Sequence, residues 1–298
     1  MDDFVQIGGG GGGGGVSPDL PNGYNPTWLT PPAITDTTVN GKTDVIALMC
    51  NVLDIGNRNY FSCIAAGDYT VNVYTAVNGT LISTVNTASG VQTNWQIDYA
   101  ACTKQIDAET RQAYVEIVPQ SGQSLTIVRF NTHHPAETNV NSAQNIVAVF
   151  GALPALTTAT SMFQNCYALQ SVTLPALPAV INATSMFYSC YALQYVTLPA
   201  LPALTAATGM FGTTAESVAL RSVRKLITTE LGSAFTAAGN LVLRYTAIQE
   251  IEALAWIASL GSSTNAFTFD LRNNPFSTSA LVAPAILSKF PNATVILV

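Results

Sequence analysis

The chain has 298 residues, of which 48% are apolar and only 9% charged. An average globular protein carries roughly 25% charged residues, so solubility here rests on Thr, Asn, Ser and Gln. The 17 acidic and 11 basic residues give a formal charge of -6, which argues against a phosphate-backbone binder, while the apolar share argues against wholesale disorder.

The chain starts Met1-Asp2-Asp3-Phe4, acidic and running into glycine, which is not the pattern of a secretory signal. Gly8, Gly9, Gly10, Gly11, Gly12, Gly13, Gly14 and Gly15 follow without a break. As a coil they would span roughly 16 Å, and their backbone can approach another surface closely. A phosphate cradle would need a strand before the run, a helix after it and the Lys-Ser/Thr pair of a P-loop, none of which is visible. Ser17-Pro18, Leu20-Pro21-Asn22-Gly23, Asn25-Pro26 and Pro31-Pro32 are turn and extended signals. Residues 1–32 therefore read as an arm rather than a domain.

From residue 33 to 141 the pattern has period two. Tyr69, Val71 and Val73 alternate with polar neighbours, as do Trp95, Ile97 and Tyr99. Ala113, Val115 and Ile117 form a third run, and Leu125 and Ile127 a fourth. Gly67-Asp68, Asn78-Gly79 and Ser121-Gly122 punctuate them as turns. Short alternating strands without a convincing helix predict a β-sandwich, each sheet hiding one face and leaving its Thr/Asn face wet.

Residues 142–298 begin with an internal repeat. Ser161-Met162-Phe163 recurs as Ser185-Met186-Phe187 and Gly209-Met210-Phe211, a period of 24 residues. Cys166 and Cys190, Tyr167 and Tyr191, and Leu169 and Leu193 keep that offset, as do Val172 to Pro178 and Val196 to Pro202. One unit buries too little apolar surface to fold alone, whereas stacked units share their faces. The five cysteines include no Cys-x-x-Cys pair, so Cys166 and Cys190 read as small buried hydrophobes. Beyond Thr213 the repeat decays. Arg221, Arg224 and Lys225 lie at helical spacing, Leu241 to Leu243 and Phe267 to Leu271 read as strands, and Thr294 to Val298 as a last one. Ile248 to Leu260, with Ile251, Leu254, Ile257 and Leu260 on one face, and Ala280 to Phe290 read as helices that cap the stack.

These units resemble the BspA-type leucine-rich repeat, of the form Met-Phe-x-x-Cys-x-x-Leu-x-x-Val-x-Leu-Pro, over residues 146–225. The upstream stretch looks like the head of tailed-phage proteins that pair this repeat with a β-sandwich. The likeness rests on Trp28 to Thr37, Ala65 to Val71, Val115 to Gln123 and Phe130-Asn131-Thr132-His133-His134. Family members often continue the Tyr-Thr-Val strand into an acidic Asp-Trp-Gly-Asp-Gly turn. Here Asn72-Val73-Tyr74-Thr75-Ala76 stands instead, so no ion or ligand of that turn carries over.

The resemblance implies a mainly β protein with some α: an N-terminal extended arm, an Ig-like β-sandwich, and a leucine-rich-repeat solenoid with a C-terminal α/β cap. It implies a phage virion surface protein, made in the host cytoplasm and released by lysis. Its role would be that of a tail-fibre, receptor-binding or capsid-decoration subunit. Phe4 and the eight glycines would attach it to other virion proteins, and the sandwich would act as a spacer. A homo-oligomer is expected, a trimer among the options, with neither nucleic acid nor an inserted membrane as partner.

Chemistry is sparse. His133-His134 are neighbours on a strand, which points them to opposite faces, so no metal site is expected. Asp98, Asp107, Glu109 and Glu116 are the densest acidic group and read as solvated charges rather than a hydrolytic pair. No catalytic residue, metal or cofactor is expected. The candidate binding surface for a host-surface protein or glycan is the ladder Tyr167, Tyr191, Tyr188 and Tyr195 with Gln170 and Gln194, read as exposed; the competing reading, which weighs more, is that these tyrosines cover their own coil edges. A bacterial cell-surface adhesin and a polysaccharide depolymerase are the alternatives. The first needs an export signal and anchor, and the second a carboxylate pair in a groove.

Overall fold

The computed structural model describes residues 44–54, 59–76, 79–130, 132, 145–174, 177–191, 193, 195–197, 201, 203–212, 228–230, 239–242, 249–260, 262, 264 and 266–297. Phe4, the glycine run, the rest of the arm, His133, His134, Gln194, Arg221, Arg224 and Lys225 lie outside these residues. The described chain is mainly β with two short helices.

The first half forms eight strands. They are β1 (Val45–Leu53), β2 (Tyr60–Ala66), β3 (Tyr69–Tyr74), β4 (Leu81–Thr87), β5 (Gln92–Gln96), β6 (Lys104–Gln105), β7 (Thr110–Pro119) and β8 (Ile127–Arg129). β3 alternates buried and half-buried residues as its sequence predicts. β1 does not alternate: Val-Ile-Ala-Leu-Met-Cys-Asn-Val-Leu is buried at all nine positions, as a central strand covered on both faces must be. It lies between β7 and β9 (Ile146–Ala152), antiparallel to both.

Three expectations need correction here. The run Trp95-Ile97-Tyr99 is not one strand, because β5 ends at Gln96 and Asp98 turns the chain by accepting from the Ala100 N–H at 3.0 Å. That bond caps a single 3₁₀ turn at Tyr99–Ala101. The fourth run is a strand only from Ile127, which is half-buried, although Leu125 is buried as predicted, along with Val128 and Phe130. The Thr/Asn face of the larger sheet is not uniformly wet either. Val45, Ala47, Met49, Tyr114, Val147, Ala148, Phe150 and Ala168 form a second, smaller apolar cluster, separate from the main core.

The second half adds β10 (Ser171–Thr173), β11 (Tyr195–Thr197), β12 (Thr228–Glu230), β13 (Gly239–Val242), α1 (Glu250–Ser259), β14 (Phe267–Asp270), α2 (Val282–Lys289) and β15 (Thr294–Ile296). β10 and β11 pair in parallel with Val172 opposite Val196, which is the 24-residue period expressed as one rung per unit. Helix α1 faces the core with Ala253, Trp256 and Ile257, Leu254 packs beside them and Leu260 follows the helix, while Ile251 is 78% exposed. The predicted apolar stripe is therefore rotated, and Ile251 is not part of the core. β13, β14 and β15 make a separate parallel sheet.

The larger sheet runs through both halves. One sheet runs β12-β11-β10-β9-β1-β7-β3-β4, with β6 beside β7, so β9 is antiparallel to β1 and parallel to β10. The β1–β9 register shifts between Met49 and Cys50, and the Val147 carbonyl there accepts from the Gln170 N–H at 2.8 Å. Gly151 lets the strands close. Its φ is +108°, and a Cβ placed on it would lie 2.3 Å from the Val45 carbonyl oxygen. On the other side, the sheet β5-β2-β8 continues as single parallel bridges, Ile127 to Thr158 to Asn182 to Ala206. A single contiguous apolar core fills the space between them and reaches α1 and α2.

Candidate functional site

The first two 24-residue units turn tightly at two slots, and the third at the first of these. Ser161, Ser185 and Gly209 occupy one with φ of 54°, 55° and 61°, and Asn165 and Ser189 occupy the other with 62° and 60°. Left-handed backbone disfavours Cβ-bearing residues, so the small or locally bonding residues at these slots follow from the geometry. The turns bond from unit to unit. Phe163 N–H donates to the Met186 carbonyl at 2.9 Å, and Phe187 N–H donates to Met210 at 2.8 Å. Because the bonds repeat at the same atoms, equal side chains stack on one another.

Inside, Phe130, Phe163, Phe187 and Phe211 form a column with centroids 5.4, 5.6 and 5.3 Å apart and planes within 12° of parallel. Cys166 and Cys190 lie beside it, both buried and free. The Cys190 Sγ donates to the Phe163 carbonyl at 3.1 Å. Burial raises both thiols well above their ordinary range, so neither is a nucleophile at neutral pH.

Outside, Tyr167 and Tyr191 stack at 5.2 Å with planes 10° apart. The predicted ladder therefore exists, but its exposure is uneven. Tyr191 is buried and Tyr167 half-buried. Tyr188, half-buried, lies against the third unit, where its Cδ2 is 3.7 Å from the place a Gly209 Cβ would take. Tyr195 is in β11, and nothing is described of its side chain. Gln170 overturns the expectation of an exposed amide: it is 2% exposed, and its Oε1 accepts no hydrogen bond from the described residues. Ala168, Leu169 and Gln170 are buried in succession because the chain crosses there from the turn into β10.

The acidic group does not assemble. Asp98 and Asp107 accept backbone N–H bonds in turns, from Ala100 and Glu109, both at 3.0 Å. Glu116 departs from the reading as a solvated charge. It is fully buried and accepts from the hydroxyls of Tyr114 at 3.1 Å and Tyr74 at 3.3 Å. Burial, with Glu116 beside them, raises the pKa of both tyrosines. Arg111 lies over the Tyr99 ring at 4.3 Å and donates to the Cys102 carbonyl at 3.0 Å, so it serves that turn. Among the described residues no group of three His, Cys, Asp or Glu could hold a metal ion, and no helix is long and apolar enough to cross a membrane.

What the chain defines at this point is a mainly β protein whose antiparallel sheets run on into stacked repeat units with a tyrosine pair on their edge. No family model, no curated protein and no solved structure matches it.

Proposed function

We propose that this chain is a non-enzymatic structural protein of a tailed-phage particle that adheres to the host surface through its repeat units. In this reading the antiparallel half is an Ig-like β-sandwich and the stacked units are a short BspA-type leucine-rich-repeat solenoid. The C-terminal helices and parallel strands form its α/β cap. The arm of residues 1–32 joins the chain to other virion proteins. Exposure on the virion fits a surface that stays wet through neutral polar groups rather than charge.

The observation that carries the reading is the Tyr167–Tyr191 stack, together with the half-buried Tyr188 of the second unit. The half-buried rings of Tyr167 and Tyr188 suit the apolar faces of sugar rings or a protein side chain. The stacked backbone holds them rigid, so little entropy is lost on contact. Each contact would contribute on the order of 4–6 kcal/mol, and many copies on one particle would add up by multivalency. Because the larger sheet runs through both halves, the first half is a spacer that also seats the repeats.

The test is retention of the purified chain on intact bacterial cells and on an array of bacterial surface glycans. The double variant Tyr167→Ala/Tyr188→Ala should lose at least about tenfold in retention with its secondary structure intact. Equal retention by wild type and variant would move the site elsewhere. Release of reducing sugar from capsule would overturn the non-enzymatic reading. Unchanged incorporation into particles after deletion of residues 2–16 would refute the anchoring arm.

A further inference from the structure

β4 (Leu81–Thr87) ends the larger sheet. One side pairs with β3 from Tyr69–Thr87 to Val73–Ser83, and among the described residues no strand occupies the other side. Alternate residues of an antiparallel edge aim N–H and C=O outward, where they template another strand. Soluble proteins blunt such edges with Lys, Pro or bulges, and here the one bulge, at Ile82, leaves Ser83 to Thr87 regular. Leu-Ile-Ser-Thr-Val-Asn-Thr has no charge and no proline, and its register shift is confined to its first residues. The strand is also pinned to β3, since Thr84 Oγ1 donates to Asn72 Oδ1 at 2.9 Å and Thr70 Oγ1 donates to Asn86 Oδ1 at 2.8 Å. Leu81 is 50% exposed at one end, and Val91 is 53% exposed in the turn after the other.

We propose that this edge pairs with the same edge of a second copy, antiparallel about a twofold axis at Thr84. That register sets Leu81 opposite Thr87, Ile82 opposite Asn86, Ser83 opposite Val85 and Thr84 opposite itself. The strand is self-complementary in charge: chains of net charge -6 meet along a seam that carries none. The antiparallel sense brings the exposed Leu81 end of each copy to the Val91 end of the other. The two sheets become one, with the β9 strands nine spacings apart, about 43 Å at roughly 4.8 Å each. The repeat stacks then lie at opposite ends of the shared sheet. The pairing does not depend on the adhesion reading, although it would give an adhesin two stacks per dimer. A strand-edge interface is small, so a weak dimer is expected.

The test is sedimentation equilibrium of the full chain up to about 0.5 mM, a range that captures weak dimers. Wild type should form dimers. Thr84→Lys puts two cations face to face on the axis and Thr84→Asp two anions, and each alone should weaken dimerisation at least about tenfold. An equimolar mixture of the two variants should dimerise again, which also reports that both are folded. If either variant fails to fold, Ile82→Lys takes its place and should weaken dimerisation likewise. A wild type monomeric at that concentration, a trimer, variants that dimerise as wild type does, or folded variants whose mixture stays monomeric would each overturn the proposal.

Discussion

Phe130 and Phe163 stack at 5.4 Å with planes 10° apart, although Phe130 follows β8 of the antiparallel half and Phe163 belongs to the first repeat unit. The Phe130 N–H also donates to the Met162 carbonyl at 2.8 Å, in the same way that Phe163 donates to Met186. Phe130 thus serves as the first rung of the repeat column. A stack of repeats needs a terminal unit that shields its last exposed face, and the antiparallel half supplies that shield. Phe130→Ala should cost about 3–5 kcal/mol in urea unfolding, by removing a fully buried ring from a column that cannot collapse around the gap.

Gly151 tests the sheet junction from the β9 side. Its φ of +108° and the 2.3 Å approach to the Val45 carbonyl leave no room for a methyl group unless β9 moves off β1. Gly151→Ala should therefore destabilise by about 3 kcal/mol or more in the same unfolding experiment.

The left-handed slots allow a signed comparison. Ser185 has φ of 55° where the next unit has Gly209 at 61°. Ser185→Gly relieves backbone strain of about 1–2 kcal/mol and loses part of it to the freer unfolded chain, so thermal melting should rise slightly. Gly209→Ala should lower stability by about 1 kcal/mol and melting with it. The added Cβ would meet only ordinary contacts at 3.7 Å, so this cost is conformational.

The buried thiols set an alkaline limit. Burial pushes Cys63 up to about 12, against an ordinary thiol value of 9.0, with the Tyr69 hydroxyl opposing the shift. It pushes Cys102 up to about 11, with Asp98 adding and Arg111 opposing. Above pH 9 the unfolded chain has lost thiol protons that the folded chain still holds, so rising pH favours unfolding. Stability should be level through neutral pH and fall from about pH 9 to 12. A thiol reagent at pH 8 should find none of the five cysteines in the native chain and all five after denaturation.

Much of this was legible in the residues. The 24-residue period located the stacked units, the buried cysteines and the tyrosine pair, because equal offsets place equal side chains on one another. The period does not say which polar slot points inward, so Gln170 read as exposed although its neighbours Leu169 and Val172 leave it no way out. β1 was missed because a strand buried on both faces shows no alternation, and Val45 to Leu53 is almost unbroken apolar sequence. Phe130 stands 33 residues before Phe163 rather than 24, so its place in the column was invisible until the chain folded. Ile251 misled because α1 is apolar on nearly every side, which leaves its facing to packing rather than to pattern.

Calorimetry of the complete chain and of Phe130→Ala bears most directly on the claim that the antiparallel sheets and the repeats form one body. The expected result is one endotherm with equal calorimetric and van't Hoff enthalpies, displaced as a whole by roughly 6 °C or more in the variant. Two separate endotherms, only one of them moved by the substitution, would contradict it.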